Sequence, residues 1–215
     1  DYATTNKVIE TIKNKDFDAK IPNYIIYEDY IKNGGYAFIK KIDSKNVSND
    51  YIIKSLNESG LKGKGGAGFP TGRKWELVLQ NDGEKLIAIN GDEGEPGTFK
   101  DKLYLETDPH RFLEGVLIAL RVMNAKKVYI YLRDEYPVAI EIIKKEILKL
   151  EKENMIQKNT LVLRRGAGAY ICGEESAMIE SIEGKRGLPR HRPPYVAQKG
   201  LFGQPTLVHN IETIF

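Results

Sequence analysis

The sequence predicts an α/β fold, in which a Rossmann-like parallel sheet is flanked by helices and preceded by a small helical N-terminal segment. Three short apolar runs, residues 86–90, 128–132 and 161–163, are typical of buried strands. Residues 112–123 and 137–152 separate these runs and have the apolar spacing of helices. Strands that alternate with helices indicate crossover connections, and therefore strands that run parallel.

The first sixty residues are predicted to form the helical segment, and residues 61–215 the nucleotide-binding domain. Within the first segment, residues 46–58 have a helix start at Ser48 or Asn49 and a stop at Gly60. An earlier helix is indicated by three apolar residues that share one helical face: Val8, Ile9 and Ile12.

The second domain begins with a glycine-rich loop over residues 61–72, and a helix is expected over residues 74–79. Further along, a short helix over residues 177–182 precedes a basic, proline-rich loop. Ligands of open α/β sheets bind at loops beyond the carboxyl ends of strands. Here those loops are the acidic segment after Asn90 and the glycine segment after Leu163.

Composition excludes several classes of protein. The 215 residues carry 33 basic and 30 acidic side chains, and a net charge of +3 gives no reason to expect nucleic acid as a partner. No apolar run reaches the ~20 residues that cross a bilayer, and residues 1–15 lack the pattern of a signal peptide. A single cysteine, Cys172, forbids an internal disulfide and fits a reducing cytoplasm.

The glycine-rich loop contains the pattern G-x-G-x-x-G at Gly63, Gly65 and Gly68. Small residues let backbone N–H groups approach a phosphate closely. The pattern follows a predicted helix rather than a strand, and no Gly-Lys-Ser/Thr closes it, so neither the Rossmann nor the P-loop motif applies. A flexible loop remains the alternative.

The acidic segment after Asn90 contains Asp92, Glu93 and Glu95, with Asp101 just beyond. Clustered carboxylates suit calcium or magnesium, although the spacing is not that of an EF-hand. A solvated turn at Pro96–Gly97 and a set of acceptors for sugar hydroxyls are the alternatives.

The segment over residues 166–176 contains Cys172, which has no histidine near it in sequence to serve as a base. A lone cysteine of this kind is expected to be a small buried residue. The basic run over residues 185–192 is suited to clasp a phosphate, or forms a solvated face.

Taken in order, residues 60–75, 90–101 and 166–176 closely resemble the flavoprotein (51-kDa) subunit of respiratory complex I. The same module occurs in NAD-linked hydrogenases, formate dehydrogenases and electron-bifurcating complexes. Arg192-Pro-Pro-Tyr195 and Asn210-Ile-Glu-Thr213 continue the resemblance, which spans roughly residues 28–215.

The resemblance implies an FMN site built from all of these segments. Lysines would offset the phosphate charge, and carboxylates would accept hydrogen bonds from hydroxyls. The implied residues are Gly63, Lys64, Gly65, Gly66, Lys74, Asn90, Asp92, Glu93, Gly173, Glu174, Asn210 and Thr213.

The resemblance also implies that NADH enters over Phe69 and passes hydride from nicotinamide C4 to flavin N5. Because the cofactor carries this chemistry, no catalytic acid or base is expected, and Glu95 is the nearest candidate. The other implied NADH contacts are Glu95, Glu175, Arg192 and Tyr195. Electrons would then pass to iron–sulfur partner subunits, including a 24-kDa-type [2Fe-2S] subunit. The expected location is cytoplasmic, or the cytoplasmic face of a membrane through those partners.

Three positions depart from the family. Leu77 stands where an aromatic residue is usual, which would weaken adenine stacking. Arg192 stands where lysine is frequent, and His209 precedes Asn210 where the family has two asparagines. Arg192 would tolerate a 2′-phosphate, whereas Glu175 would repel one, so NADH is favoured over NADPH.

Family members continue into a ubiquitin-like domain and a helical bundle that holds a [4Fe-4S] cluster. One cysteine cannot hold that cluster, so the sequence is expected to be part of a longer subunit. Two alternatives to an FMN-dependent NADH oxidoreductase remain at this point. One is a catalytically silent scaffold that keeps the fold, and the other is a metal-dependent hydrolase using Asp92, Glu93 and Glu95.

Overall fold

The computed structural model describes residues 20–166 and 168–215. The helix predicted around residues 8–12 lies outside them. The elements are α1 (Tyr27–Lys32), α2 (Ala37–Asp43), α3 (Asn49–Glu58), α4 (Thr71–Leu79), β1 (Leu86–Gly91), α5 (Lys100–Thr107), α6 (Pro109–Met123), β2 (Lys127–Leu132), α7 (Pro137–Lys152), β3 (Leu161–Arg165), α8 (Glu175–Ile182), β4 (Thr206–Asn210) and α9 (Ile211–Ile214). Two short 3-10 turns, Tyr170–Gly173 and Leu201–Gly203, lie in the last third of the chain.

The four strands form one sheet in the order β3-β2-β1-β4, and all three pairings are parallel. The α/β class and the parallel sheet are therefore confirmed. The strand β4 is an addition to the prediction. It pairs with β1 in a register that places Ile89 beside His209, and Ile89 lies beside Ile130 of β2 on its other side.

Alternate residues of β1 enter two separate cores, as the two-residue period of a strand requires. Ile87 and Ile89 pack with α6 and α7 on one face. Leu86 and Ala88 pack with α8 and Leu201 on the other. Because both faces are covered, the strands are apolar throughout, which is the pattern that predicted them.

The N-terminal helices pack on the α6 side of the sheet. Ile39 of α2 and Ile52 of α3 belong to the same buried cluster as Phe112 of α6. The side chain of Ser48 caps α3 by accepting a hydrogen bond from the backbone N–H of Tyr51, as predicted. The domain boundary near residue 60 stays a prediction.

Three helix starts differ from those predicted, among them that of α6, which begins at Pro109 rather than residue 112. The helix α4 begins at Thr71 rather than residue 74, and α8 begins at Glu175, because the Glu174 side chain accepts hydrogen bonds from two N–H groups of its first turn. The helix α5 was not predicted; it begins just after the acidic segment, so that Asp101 lies in its first turn. No helix within residues 20–166 and 168–215 is long and apolar enough to cross a membrane.

Candidate functional site

The candidate site lies at the edge of the sheet where β1, β2 and β4 end. Their last residues are level with one another, since Asn90 lies beside Tyr131 of β2 and Asn210 of β4. Gly91 is required at this edge, because an added Cβ would lie 2.5 Å from Leu132 Cδ2 and 2.9 Å from the Tyr131 carbonyl oxygen. Parallel strands thus bring the acidic loop and the chain after β4 to one place.

The glycine-rich loop before α4 is closed on itself by a backbone hydrogen bond. The N–H of Gly63 donates to the carbonyl of Phe69 at 2.9 Å. Gly66 and Gly68 have φ values of +117° and +64°, and a Cβ added at either would meet open space. The loop therefore needs glycine for its conformation.

This loop is attached to the chain that follows β4. The backbone N–H of Lys64 donates to Thr213 Oγ1 at 2.9 Å. An added Cβ on Gly65 would lie 3.5 Å from Asn210 Cβ. Two segments that were predicted to share a site, although they are about 150 residues apart, are thus in direct contact.

The end of β1 contacts the loop that follows β3. The Asn90 side chain accepts from the N–H of Asp92 at 3.0 Å and donates to the carbonyl of Gly173 at 2.9 Å. Asn90, Asp92 and Gly173 were each predicted as site residues, and the structure brings all three together.

Asp92 has a buried carboxylate oxygen, Oδ2, with no hydrogen-bond partner among the described residues. Burial raises the pKa of Asp92 to about 6, although the nearby guanidinium of Arg133 opposes the shift. A buried acceptor without a donor is uncommon, and a water molecule or a ligand hydroxyl would satisfy it.

Glu93 differs from its neighbour because the chain itself satisfies it. Its carboxylate accepts from the N–H of Asp101 at 3.1 Å, the N–H of Lys102 at 3.4 Å and the hydroxyl of Tyr136 at 3.1 Å. The residue is buried. Its bonds therefore attach the acidic loop to the start of α5, and its role as a ligand stays a prediction.

Lys100 and Asp101 form a polar network around Asn210 that was not predicted. Lys100 Nζ lies 2.7 Å from Asp101 Oδ1, 3.2 Å from Asn210 Oδ1 and 3.1 Å from Glu212 Oε2. Asn210 Nδ2 donates to Asp101 Oδ2 at 2.7 Å. Burial alone lowers the pKa of Lys100, but the two carboxylates outweigh it and the pKa is raised. The helix α5 is short and has no regular apolar face, so apolar spacing did not predict a helix at these positions.

Two carboxylates at the start of α8 converge on Arg192. Glu174 Oε1 accepts from Arg192 Nη2 at 2.5 Å, while its other oxygen caps the helix. Glu175 Oε1 lies 3.2 Å from the same nitrogen. Arg192, Glu174 and Glu175 were predicted as site residues and form one group.

Lys74 joins this group from α4. Its Nζ donates to the carbonyl of Val208 at 3.1 Å and lies 3.9 Å from Glu175 Oε2. Burial lowers the pKa of Lys74, against the opposing effect of Glu175. A cation that is removed from water and has one distant carboxylate is suited to receive a further anion.

Aromatic side chains around the site are exposed. Phe69 and Tyr195, both predicted, are 42% and 56% exposed, and neither ring stacks on another within the described part of the chain. Tyr170, which was not predicted, is 67% exposed and donates its hydroxyl hydrogen to Glu95 Oε1. Tyr170 lies within residues 166–176, and its place in this candidate segment was the feature of the sequence that could have identified it.

Two residues that the sequence singled out face the interior. Cys172 is buried in the core on the α8 side, as expected. His209 is buried too, and its Nε2 accepts from Trp75 Nε1 at 2.8 Å. Burial, reinforced by the charge of Lys74, lowers the pKa of His209 to about 3, so its ring is neutral. Of the positions that depart from the family, His209 therefore lies in the core, and Leu77 is partly buried on α4.

Comparison with known proteins shows which family the chain belongs to. The sequence profile of the family described as the Nuo51 FMN-binding domain matches residues 56–215. The chain belongs to this family. The match is to its FMN-binding domain, so the predicted family and the predicted flavin cofactor are confirmed.

Members of the Nuo51 FMN-binding family resemble the chain over nearly its whole length. An NADH-quinone oxidoreductase subunit of Aquifex aeolicus (strain VF5) is 48% identical over 204 residues, 91% of this chain and 47% of that protein. The mitochondrial NADH dehydrogenase (ubiquinone) flavoprotein 1 of Dictyostelium discoideum is 42% identical over 214 residues, 93% of this chain and 45% of that protein. The chain thus spans slightly less than half of each relative.

A solved structure has the same fold. In the crystal structure of an NAD+-reducing [NiFe]-hydrogenase in the air-oxidized state, one chain superimposes with a TM-score of 0.82 at 35% sequence identity. The superposition covers 100% of this chain and 39% of that one.

The chemistry of the candidate site fits FMN. FMN offers a phosphate, a chain of hydroxyls and a flat ring. The glycine loop is open at Gly66 and Gly68, Lys74 is a partly desolvated cation, and Asp92 has a free acceptor for a hydroxyl. No group of three His, Cys, Asp or Glu side chains in the described residues is arranged to hold a metal.

Proposed function

We propose that the chain is the FMN- and NADH-binding part of an NADH oxidoreductase. When bound, FMN supplies the hydride acceptor and a route for single electrons to iron–sulfur partners. The observation that carries the proposal is the meeting of the open glycine loop with Lys74 and the unpartnered Asp92 carboxylate in a domain of the FMN-binding family.

The residues of the chain bind and orient rather than transfer protons. The N–H groups of Gly65 and Gly66 would face the phosphate, Gly63 would contact it while its own N–H closes the loop, and Lys64 and Lys74 would supply cations. Hydroxyls of the ribityl chain would meet acceptors at the strand ends. The further proposed FMN contacts are Asn90, Asp92, Glu93, Gly173, Glu174, Asn210 and Thr213.

The second nucleotide would lie over the exposed ring of Phe69, beside Arg192 and Tyr195. Glu174, Glu175, Arg192 and Lys74 form a group of two negative and two positive charges. Glu175 would face the adenine ribose and repel a 2′-phosphate there, which supports NADH over NADPH. Glu95 is held by the Tyr170 hydroxyl, and we assign it a contact with NADH rather than a catalytic role.

Partner subunits follow from the same proposal. The relatives named above belong to an NADH-quinone oxidoreductase and to a mitochondrial NADH dehydrogenase (ubiquinone). We propose that this chain likewise passes electrons to iron–sulfur subunits, one of them of the 24-kDa [2Fe-2S] type. A cytoplasmic location, with attachment to a membrane only through partners, agrees with the single unpaired cysteine.

An anaerobic visible spectrum tests the proposal. The purified protein is incubated with FMN and separated from free flavin, and then NADH or NADPH is added. We expect a retained flavin band that NADH bleaches and NADPH does not. Folded protein without retained flavin would favour the scaffold alternative, and bleaching by NADPH alone would contradict the role of Glu175.

A matched pair of glycine variants sharpens this test. Gly66 and Gly34 have φ values of +117° and +88°, and a Cβ at either position would meet open space. Gly66→Ala and Gly34→Ala therefore impose a similar backbone strain, but only Gly66 lies in the loop. We expect Gly66→Ala to weaken FMN binding roughly tenfold, as a small loss of phosphate contacts would, and Gly34→Ala to leave it unchanged. Equal effects would point to strain alone.

A further inference from the structure

The loop that connects α8 with β4 contains Arg192 and Tyr195 but has little regular structure. Apart from the 3-10 turn Leu201–Gly203, residues 183–205 are outside helices and strands. Arg192 and Tyr195 are also exposed. Backbone hydrogen bonds within residues 195–206 order the second half of the loop, and side chains join it to α8.

The side chain of Arg190 makes four of the hydrogen bonds that hold the loop. Its guanidinium donates to Glu180 Oε1 and, at 3.0 Å, to Glu183 Oε1. The same group donates to the carbonyl of Gly200 at 2.9 Å and to that of Lys199 at 3.4 Å. One side chain thus joins α8 to both limbs of the loop.

The charges around Arg190 balance within the chain. Lys185 Nζ lies 2.6 Å from Glu183 Oε2 and 3.8 Å from Glu180 Oε2. The side chains of Glu183 and Glu180 are only 5% and 17% exposed. Removal of the guanidinium would leave two poorly hydrated carboxylates to share one lysine, which is unfavourable.

The backbone of Arg190 connects this network to the nucleotide site. Its N–H donates to Ser176 Oγ at 2.9 Å, and the Ser176 hydroxyl donates to Glu174 Oε2 at 2.5 Å. The other oxygen of Glu174 accepts from Arg192. Two contacts therefore fix the position of Arg192. One is its own hydrogen bond to Glu174, and the other is the hydrogen bond from the Arg190 N–H, two residues earlier, to Ser176.

We propose that Arg190 is a positioning residue for the second nucleotide, and that it acts by holding Arg192 against Glu174 and Glu175. This inference rests on the proposed NADH site. Arg190 itself has no assigned contact with either nucleotide, and its partners are all within the chain. Its loss should therefore affect the affinity for NADH and spare the binding of FMN.

The experiment compares Arg190→Gln with Arg121→Gln in the purified protein. Arg121 is a matched control, because it is similarly exposed (24% against 25%) and bonds to one carboxylate and one carbonyl far from the site. For Arg190→Gln we expect a roughly tenfold higher KM for NADH with an artificial electron acceptor, kcat within about twofold and unchanged FMN content. Arg121→Gln should change none of the three.

Hydrogen exchange provides a readout that does not depend on activity. Backbone amides of residues 190–200 should exchange roughly tenfold faster in Arg190→Gln than in the wild type, and equally fast in Arg121→Gln and the wild type. Arg190→Lys should give an intermediate effect, since a lysine can pair with one carboxylate but cannot replace the fork of the guanidinium. Unchanged exchange in folded Arg190→Gln would overturn the inference, and loss of FMN would reassign Arg190 to general folding.

A double-mutant cycle decides whether Arg190 acts through Arg192. If it does, Arg190→Gln should raise the KM for NADH much less in an Arg192→Gln background than in the wild type. Effects that multiply independently would contradict the inference. A wild-type protein that NADH does not reduce would instead refute the proposed function, and the exchange data would still report whether Arg190 holds the loop.

Discussion

Two polar clusters of this molecule differ in how completely their atoms are bonded. The helix-side cluster consists of Tyr24, Tyr36, His110 and Glu146. Tyr36 Oη lies 2.8 Å from His110 Nδ1, His110 Nε2 lies 2.9 Å from Glu146 Oε2, and Tyr24 donates to Glu146 Oε1 at 2.7 Å. Both ring nitrogens and both carboxylate oxygens therefore have partners.

The strand-end cluster consists of Lys74, Asn90, Asp92 and Glu175. Here Asp92 Oδ2 lacks a partner among the described residues, and Lys74 has a carboxylate only at 3.9 Å. The shifts in pKa differ accordingly. Burial raises the pKa of Asp92, whereas the hydrogen bonds from His110 and Tyr24 outweigh burial and lower the pKa of Glu146.

The difference separates a polar group that serves folding from one that serves a ligand. The helix-side cluster joins the chain before α1 and the turn before α2 to α6 and α7, and needs nothing further. The strand-end cluster is partly removed from water, and some of its polar atoms have no partner. This lowers the free energy of unfolding unless a ligand supplies the missing partners. Burial differs as well, since the Glu146 side chain is 3% exposed, whereas the Glu175 side chain is 27% exposed and Asp92 is only partly buried.

The largest effect is expected from a substitution that breaks the helix-side cluster. Glu146→Ala should lower the free energy of unfolding by about 3–5 kcal/mol, because it leaves His110 and Tyr24 buried without their acceptor. Glu146→Gln is the control and should cost about 1 kcal/mol, since it keeps one acceptor and its NH2 can donate to the Tyr24 hydroxyl. Urea denaturation measures both. Loss of FMN binding by a folded Glu146→Gln would contradict the separation of the two clusters.

A smaller effect is expected in the strand-end cluster, and only with the ligand present. Asp92→Asn should weaken FMN binding by about 1.5–3 kcal/mol, or roughly ten- to hundredfold, the usual range for a hydrogen bond to a charged group. Without FMN the variant should be no less stable than the wild type. Fluorescence titration with FMN and urea denaturation of the ligand-free protein test the two parts. A destabilised variant with unchanged affinity would show that Asp92 serves folding.

The pH dependence of that comparison has a definite sign. The pKa of Asp92 is raised from 3.8 to about 6 in the folded state, so its contribution to stability is fully present below pH 3.8 and is lost as the pH rises through about 6. The ligand-free wild type should therefore lose stability relative to Asp92→Asn between these pH values. A constant difference would contradict the shift.

The smallest expected effect concerns His209, a buried residue that belongs to neither cluster. Its folded-state pKa is depressed from 6.5 to about 3, so its contribution is present above pH 6.5 and is lost as the pH falls. At pH 5.5 the wild type should have lost about 1.4 kcal/mol that His209→Asn keeps, because only the unfolded wild type gains a proton there. Denaturation at pH 7.5 and 5.5 measures this, and parallel pH profiles would contradict it.

Much of the fold was predictable because its signals are local. The helix α7 has the predicted limits, and the three predicted strands lie within β1, β2 and β3. Two elements gave no such signal. The strand β4 has five residues, among them His209 and Asn210, and its pairing with β1 makes it a strand. The helix α5 buries only Asp101 and Leu105, and it depends on packing against α6 and α7 rather than on an apolar face.

The candidate site was predictable as a set of residues but not as a set of bonds. The motifs gave the segments that meet at the strand ends, and most of the predicted side chains do meet there. Lys100 and Arg190 were missed, because each acts through side chains that lie elsewhere in the sequence. Phe69 and Tyr195 stay predictions, since the described contacts do not join their rings to the rest of the site.

By itself the sequence determined the alternation of strands and helices and the chemical groups that each loop carries, because both are properties of neighbouring residues. Only the tertiary structure decided which of those groups are satisfied. Trp75 meets His209 across 134 positions, and Asn90 meets Gly173 across 83. Such contacts are set by how the sheet and its helices pack. The same packing leaves Asp92 with an unused acceptor while its neighbour Glu93 has three donors.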